Sequence, residues 1–266
     1  MRLFDTLGTK KTVLGMVHLG LMPGSPFYEE GSYEATFEKA LSDAQALYEG
    51  GADGCLVQTV DRVYSPKDEA DPATIAGVSN IVSAISRATG PDFQIGVQIM
   101  RNALKASLAV AKVCGGSYLR CGALVGATLT PHGIVEANPL DVMEYRAKIG
   151  AGQVRMIAEI DSMHFKWWGG KPTVEVAKSA RAVGADAVSL GDPDEETTLR
   201  MIHDVKQALP DLPVILAGYT NHENAARLLK DADGAFVGTC LERGGWTGAI
   251  DVDRVRAYVE IVRGLA

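Results

Sequence analysis

The chain has 266 residues, 47% hydrophobic, 22% charged and 6% aromatic, enough for a full-sized core, which excludes a disordered chain and a disulfide-stapled miniature. Twenty-six Lys and Arg against 33 Asp and Glu leave a net charge of −7, which argues against a broad cationic face for nucleic acid or an anionic bilayer and leaves room for a local anion site. No run approaches the ~18 apolar residues of a membrane span, and the start MRLFDTLGTKK lacks the apolar centre of a signal peptide, so a soluble cytoplasmic protein is expected.

Eight apolar runs of strand length recur, each followed by helical periodicity: TVLGMVH (12–18), DGCLVQ (53–58), FQIGVQ (93–98), SYLRC (117–121), VRMIAEI (154–160), DAVSL (186–190), PVILAG (213–218) and GAFVG (234–238). They lack strict alternation, as strands do when helices cover one face and a barrel interior the other. The length alone would admit two domains, but no charged or Ser/Pro-rich linker divides the chain. Eight strand–helix units predict one α/β domain over 1–266, a single closed (β/α)8 TIM barrel. Ser32 is placed to cap a helix from Tyr33 to Tyr48 that ends at Gly50-Gly51, while Gly115-Gly116 and Gly184 end later helices. The turns GGADG (50–54), GADA (184–187) and DADG (231–234) echo one another. The longest irregular stretches, 19–31, 59–71, 122–137 and 162–171, all follow strands, the end where this fold builds its site.

Polar residues gather at those strand ends. His18 closes the first strand beside a Gly/Pro-rich loop and is a candidate ligand, acid or base, or else a histidine bonded to loop backbone. Gln58 and Asp61 follow the second strand, Gln98, Arg101 and Asn102 the third, and Arg120 ends the fourth, suited to a carboxylate or phosphate. In the fifth, AEIDSMH, Glu159 and Asp161 are two apart and are expected on one face, with His164 three residues on. Two such carboxylates serve acid–base catalysis, or hold a divalent cation with His164; alternatively one anchors a loop or pairs with Arg120. Asp192 follows the sixth strand. The last two units, AGYTNHENA (217–225) and VGTCLERGG (237–245), set small residues between strand and helix. Gly218, Thr220, Gly238 and Thr239 therefore read as a phosphate site of backbone amides at helix starts, with turn formation and capping as the plainer alternative.

KWWGGK (166–171) reads as a subunit contact, making a homo-oligomer the expectation. The four cysteines, Cys55, Cys114, Cys121 and Cys240, form no CxxC pair and read as buried thiols of a reducing compartment, without structural zinc. No GxGxxG, Walker A, HExxH or GxSxG pattern stands where its mechanism needs it, so no nucleotide or flavin is supported; a divalent cation stays open.

The segments VLGMVHLGLMPGSPFY (13–28), MRNALKA (100–106), ALVGATLTPHGIVEA (123–137), AEIDSMH (158–164), VGTCLERGG (237–245) and DVDRVRAYV (251–259) together resemble the BtpA/SgcQ family from about Thr12 to Val262. The resemblance implies a phosphate-binding barrel; some members are linked to photosystem I biogenesis, and others accompany sugar transport and sugar-phosphate genes. His18, Asp61, Arg101, Asn102, Arg120, His164 and Gly238-Thr239 match the pattern. The family commonly has Glu-Asn where Gln58-Thr59 stands, Asn at Gln98 and Gly122, and a His and a Lys near Asp161 and Met163, which opens room for a different substrate or reaction. The leading expectation is an enzyme acting on a small phosphorylated sugar or sugar-like metabolite, as isomerase, epimerase or lyase. A non-catalytic assembly or stability factor is the alternative, and a small-molecule-binding regulator the third.

Overall fold

In the computed structural model, which describes residues 10–265, the strands are β1 (Thr12–Leu19), β2 (Gly54–Thr59), β3 (Gln94–Gln98), β4 (Tyr118–Cys121), β5 (Ala127–Thr130), β6 (Gly133–Glu136), β7 (Arg155–Asp161), β8 (Ala187–Leu190), β9 (Val214–Leu216), β10 (Gly234–Val237), β11 (Glu242–Arg243) and β12 (Ala249–Ile250). The helices are α1 (Tyr33–Glu49), α2 (Pro72–Ala88), α3 (Leu104–Cys114), α4 (Pro139–Lys148), α5 (Thr173–Ala182), α6 (Glu195–Ala208), α7 (Ala225–Leu228) and α8 (Val252–Arg263). Eight strands, one from each predicted run, close a parallel barrel in the order β1-β10-β9-β8-β7-β4-β3-β2. The remaining four pair as two antiparallel hairpins, β5 with β6 and β11 with β12. The stretch 122–137 is therefore partly ordered, because Gly133, at a φ of +114°, turns the chain between β5 and β6.

The helix signals divide. Gly115 ends α3 in the left-handed conformation, as its type and place predict. Ser32 does not cap α1: its hydroxyl donates to the Glu29 carbonyl instead. Asp71, Asn138, Asp194 and Asp251 accept first-turn amides of α2, α4, α6 and α8.

The three echoing turns perform one job at the amino-terminal end of the barrel. Asp53 accepts the amide of Val13 at 2.8 Å, Asp186 that of Met156 at 2.9 Å and Asp233 that of Val214 at 2.8 Å, each clasping the start of the adjacent strand. Cations complete each clasp: Arg263 on Asp53, Arg155 on Asp186 and Lys206 on Asp233.

Inside the barrel, side chains alternate in and out along each strand. Leu14, Met16, Leu56, Tyr118, Ile157, Ala187, Ile215 and Phe236 form the buried interior cluster. A larger cluster fills the shell between strands and helices. Stepping two residues toward the carboxyl end from the last interior residue of each strand gives His18, Gln58, Arg120, Glu159, Ser189, Ala217 and Gly238; the Gln58 bond to Gln98 adds β3. The interior turns polar at its top layer. His18, Arg120, Glu159, Asp161, Asp61 and Asp192 all lie at or beyond the carboxyl ends of parallel strands, and so at one mouth.

Candidate functional site

Strand register lines up the polar layer. His18 pairs with Gln58, Gln58 with Gln98, and Glu159 with Ser189. Gln58 donates to Gln98 at 2.6 Å. Arg120, 2% exposed, forms an ion pair with Glu159, which is wholly buried. It also donates to the Ala217 carbonyl at 3.1 Å and lies 4.6 Å from the Phe236 ring centre. Ser162 donates to the other oxygen of Glu159 at 2.7 Å. Gln98 Nε2, Arg120 Nε and Ser189 Oγ are buried without a hydrogen-bond partner, a costly state that a bound polar ligand or water would relieve.

Glu159 and Asp161 do not share a face. The pairing of β7 with β8 slips between them, so that Glu159 stands opposite Ser189 and Asp161 opposite Leu190. One extra residue on β7 breaks the two-residue alternation. Glu159 turns into the barrel, while Asp161 accepts from Lys166 at 3.0 Å and Thr173 at 2.8 Å, anchoring the following loop to α5. Among the described residues no group of three or more His, Cys, Asp or Glu is placed to hold a metal ion. The expected set of Glu159, Asp161 and His164 is thus not assembled. Asp192 accepts the Asp194 amide and meets Lys166 at 3.6 Å, a loop role.

The two candidate histidines have different partners. His18 lies with Nδ1 3.5 Å from the carboxylate of Glu242, which is 2% exposed, and beside Trp246, 6.1 Å between ring centres. His164 is held by Arg101, which reaches its Nδ1 at 3.2 Å and its carbonyl at 2.8 Å. Burial, reinforced by Arg120, Arg101 and His18 and opposed by Glu159, pushes the His164 imidazole down to about 4. It is neutral near pH 7. Asn102 brackets Ala123, accepting its amide and donating to its carbonyl, and is structural. The Asp61 amide donates to the Tyr64 hydroxyl at 2.7 Å.

A cavity of about 970 Å³ lies over this layer. His18, Gln58, Asp61, Arg120 and His164 line it together with Gly218, Thr220, Gly238 and Thr239, and Gly238 adjoins His18, whose Cε1 lies 3.5 Å from where a β-carbon at Gly238 would stand. The catalytic and phosphate candidates thus meet in one space, whereas Glu159 lies buried and Asp161 turns to the loop. The helix starts expected there are short: α7 has four residues, and Thr239–Leu241 form one 3₁₀ turn. Asn221 Oδ1 already accepts the amides of Glu223 and Asn224, and the hydroxyls of Thr220 and Tyr258 bond at 2.7 Å. A β-carbon at Gly218 would meet nothing within 4 Å, so the chain there opens onto the cavity.

The adjacent tryptophans separate. Trp167 packs over Gly126, where any β-carbon would overlap its ring, and Trp168 stays 54% exposed. Trp167 is thus covered within the chain by the strand 4 loop. Sequence reading missed Glu242, Trp246, Tyr64 and Ser189. Counting by twos from the apolar centre of each strand would have found Ser189; Glu242 stood inside VGTCLERGG, with only tertiary packing to mark it.

A family model described as the BtpA family matches residues 9–264. An uncharacterized protein of Archaeoglobus fulgidus is 32% identical over 96% of this chain and all of its own. The photosystem I biogenesis protein BtpA of Synechocystis sp. is 29% identical over 98% of this chain and 91% of its own. The putative sgc region protein SgcQ of Escherichia coli is 26% identical over 97% and 96%. Of solved structures, tryptophan synthase of Mycobacterium tuberculosis superposes with a TM-score of 0.65 at 17% identity, covering 98% of this chain and 96% of its own. N-(5'-phosphoribosyl)anthranilate isomerase from Pyrococcus furiosus does so at 0.55 and 16%, covering 96% and 99%. At such identities the likeness is one of fold, the TIM barrel expected from the sequence.

Proposed function

The chain belongs to the BtpA family, and we propose that it is a cytoplasmic enzyme acting on a phosphorylated sugar or sugar-like metabolite by isomerisation, epimerisation or bond cleavage. One observation supports the reading: the small-residue loops and the polar layer line the same cavity, with the unpartnered Nε of Arg120 in its wall. Backbone around Gly218-Tyr219-Thr220 and Gly238-Thr239 takes the phosphate without needing many cations. His18 moves a proton, His164 and Arg120 stabilise negative charge developing on oxygen, and Asp61 with Tyr64 holds a hydroxyl at the rim. Glu159 holds Arg120 aligned rather than meeting substrate. No step requires Asp161. The exposed Leu129, Ile134 and Trp168 are the face we assign to a second copy, tested by light scattering of the chain after Leu129→Lys.

The test is a thermal-shift series of the full chain with inorganic phosphate and a panel of sugar phosphates, each with and without Mg2+, Mn2+ and Zn2+. A ligand that binds only the folded state raises the midpoint. In Gly238→Asp the shift should vanish, because a side chain there comes into contact with Met16 and His18 and sets a carboxylate where phosphate would bind, with circular dichroism as the check on the fold. No shift with any phosphate, or an equal shift in Gly238→Asp, removes the reading. An assembly factor is the second reading, favoured by one observation: the Arg120–Glu159 ion pair closes part of the floor internally. It predicts that partner binding survives Gly238→Asp.

A further inference from the structure

A carboxylate can only accept hydrogen bonds and a guanidinium can only donate them, and the two mouth histidines each face one of these at Nδ1. His18 Nδ1 is buried, makes no hydrogen bond and stands 3.5 Å from Glu242 Oε1. Among the described residues no Lys or Arg side chain lies within ion-pair distance of Glu242, whose second carboxylate oxygen is buried without a partner. The strap that carries Glu242 is fixed on three sides. Arg254 donates to the Glu242 carbonyl at 2.6 Å, Glu242 pairs with Ile250 across the hairpin, and the Ile250 amide donates to Asp43 of α1 at 2.9 Å. His164 presents the opposite case, because Arg101 occupies its Nδ1 as a donor at 3.2 Å.

We propose that Glu242 and Arg101 lock His18 and His164 in opposite tautomers, so that the cavity contains one proton acceptor and one proton donor. With Nδ1–H directed at Glu242, His18 has its lone pair on Nε2. With Nδ1 accepting from Arg101, the neutral His164 carries its hydrogen on Nε2. Both rings line the same cavity. Glu242 is a positioning residue for His18, and the 3.5 Å separation is one that closes when ligand excludes water. The inference rests on the reading above for its phosphorylated ligand, and it narrows the chemistry to proton transfer beside a carbonyl. His18 Nε2 takes a proton from the carbon next to the carbonyl, and the electron pair moves onto the carbonyl oxygen, to which His164 Nε2–H donates. In a 2-hydroxy carbonyl compound, His164 passes its Nε2 proton to that oxygen and takes the neighbouring hydroxyl proton in its place, while His18 returns its proton to the former carbonyl carbon, so the carbonyl moves by one carbon and both rings regain their starting tautomers.

The tautomers are read without any substrate. Long-range 1H–15N spectra of the full chain, labelled in its five histidines and recorded at pH 8.5, are assigned with His18→Gln and His164→Gln. The expected result is Nδ1–H for His18 and Nε2–H for His164. Glu242→Leu should return His18 to Nε2–H, the form favoured in water, and Glu242→Gln, retaining an acceptor, should keep part of the Nδ1–H signal. Arg101→Met should release His164 without moving His18. An Nε2–H or doubly protonated His18 in the parent chain overturns the proposal, as does a His18 spectrum unchanged in Glu242→Leu that retains the parent circular dichroism. If both substitutions unfold the chain, the parent spectrum alone decides. Phosphate protection failing while the tautomers hold would discard the ligand and keep the pair.

Discussion

The two ends of the barrel use similar residue types to opposite effect. At the amino-terminal end Asp53, Asp186 and Asp233 each bind one strand amide and at least one cation, and the clasps tie neighbouring strands together. At the mouth His18 and Arg120, both on the cavity wall, retain buried nitrogens without hydrogen-bond partners. Matched groups hold the sheet closed, whereas unmatched ones are stabilised only when something else enters. The difference suits the clasps to stability and, on the proposed reading, the mouth to binding, and mutations can break that division.

The largest effect is expected where the mouth itself is matched. Glu159→Leu strands Arg120 in the interior and should cost about 3–5 kcal/mol in urea unfolding, while Glu159→Leu with Arg120→Met should recover most of it. A loss below about 1 kcal/mol in the single variant would mean that the pair is solvated and the floor open.

Next comes acid. His164 protonates near 6.5 when unfolded and only near 4 when folded, so the unfolded chain binds more protons in between, and stability falls as pH drops through that window. The term reaches about 3 kcal/mol at most. His164→Gln should remove it, flattening the decline of stability between pH 6.5 and 4 relative to the parent. Identical slopes would show a solvated imidazole.

A clasp aspartate should cost somewhat less. Asp186→Ala loses the Met156 amide bond and the contact with Arg155, and about 2 kcal/mol is expected, with any phosphate-induced shift of the melting midpoint kept. Loss of that shift in a folded variant would couple the two ends. Ser189→Ala is the smallest: it removes an unpartnered hydroxyl, so stability should stay within about 0.5 kcal/mol or rise. A drop beyond about 1 kcal/mol would mean that Ser189 is already satisfied in the ligand-free state.

The barrel was legible because its signal is repeated eight times: apolar strands, helix periodicity and turn residues all agree, so a local error such as Ser32 leaves the architecture untouched. The mouth was legible in outline for the same reason, since strand ends are fixed by strand position. What escaped was set by single insertions and by distant packing. The extra residue in β7 shows no mark in AEIDSMH, and it moved Asp161 out of the floor. Glu242 meets His18 only because β10 closes the barrel against β1, a contact between opposite ends of the sequence that no window of residues contains. The loops after β9 and β10 were placed correctly, but the helices that follow them are only a four-residue α7 and a three-residue 3₁₀ turn.

The slip in β7 also has an evolutionary reading. Because side chains along a strand alternate, inserting one residue between Glu159 and Asp161 would carry the aspartate one register position beyond Leu190 and turn it toward the floor beside Glu159. An inward carboxylate pair of that kind suits a divalent cation, while the strand as it stands offers a lone, arginine-bound carboxylate. A gain or loss of one codon would thus separate relatives that share the barrel and the loops yet differ in whether their chemistry recruits a metal.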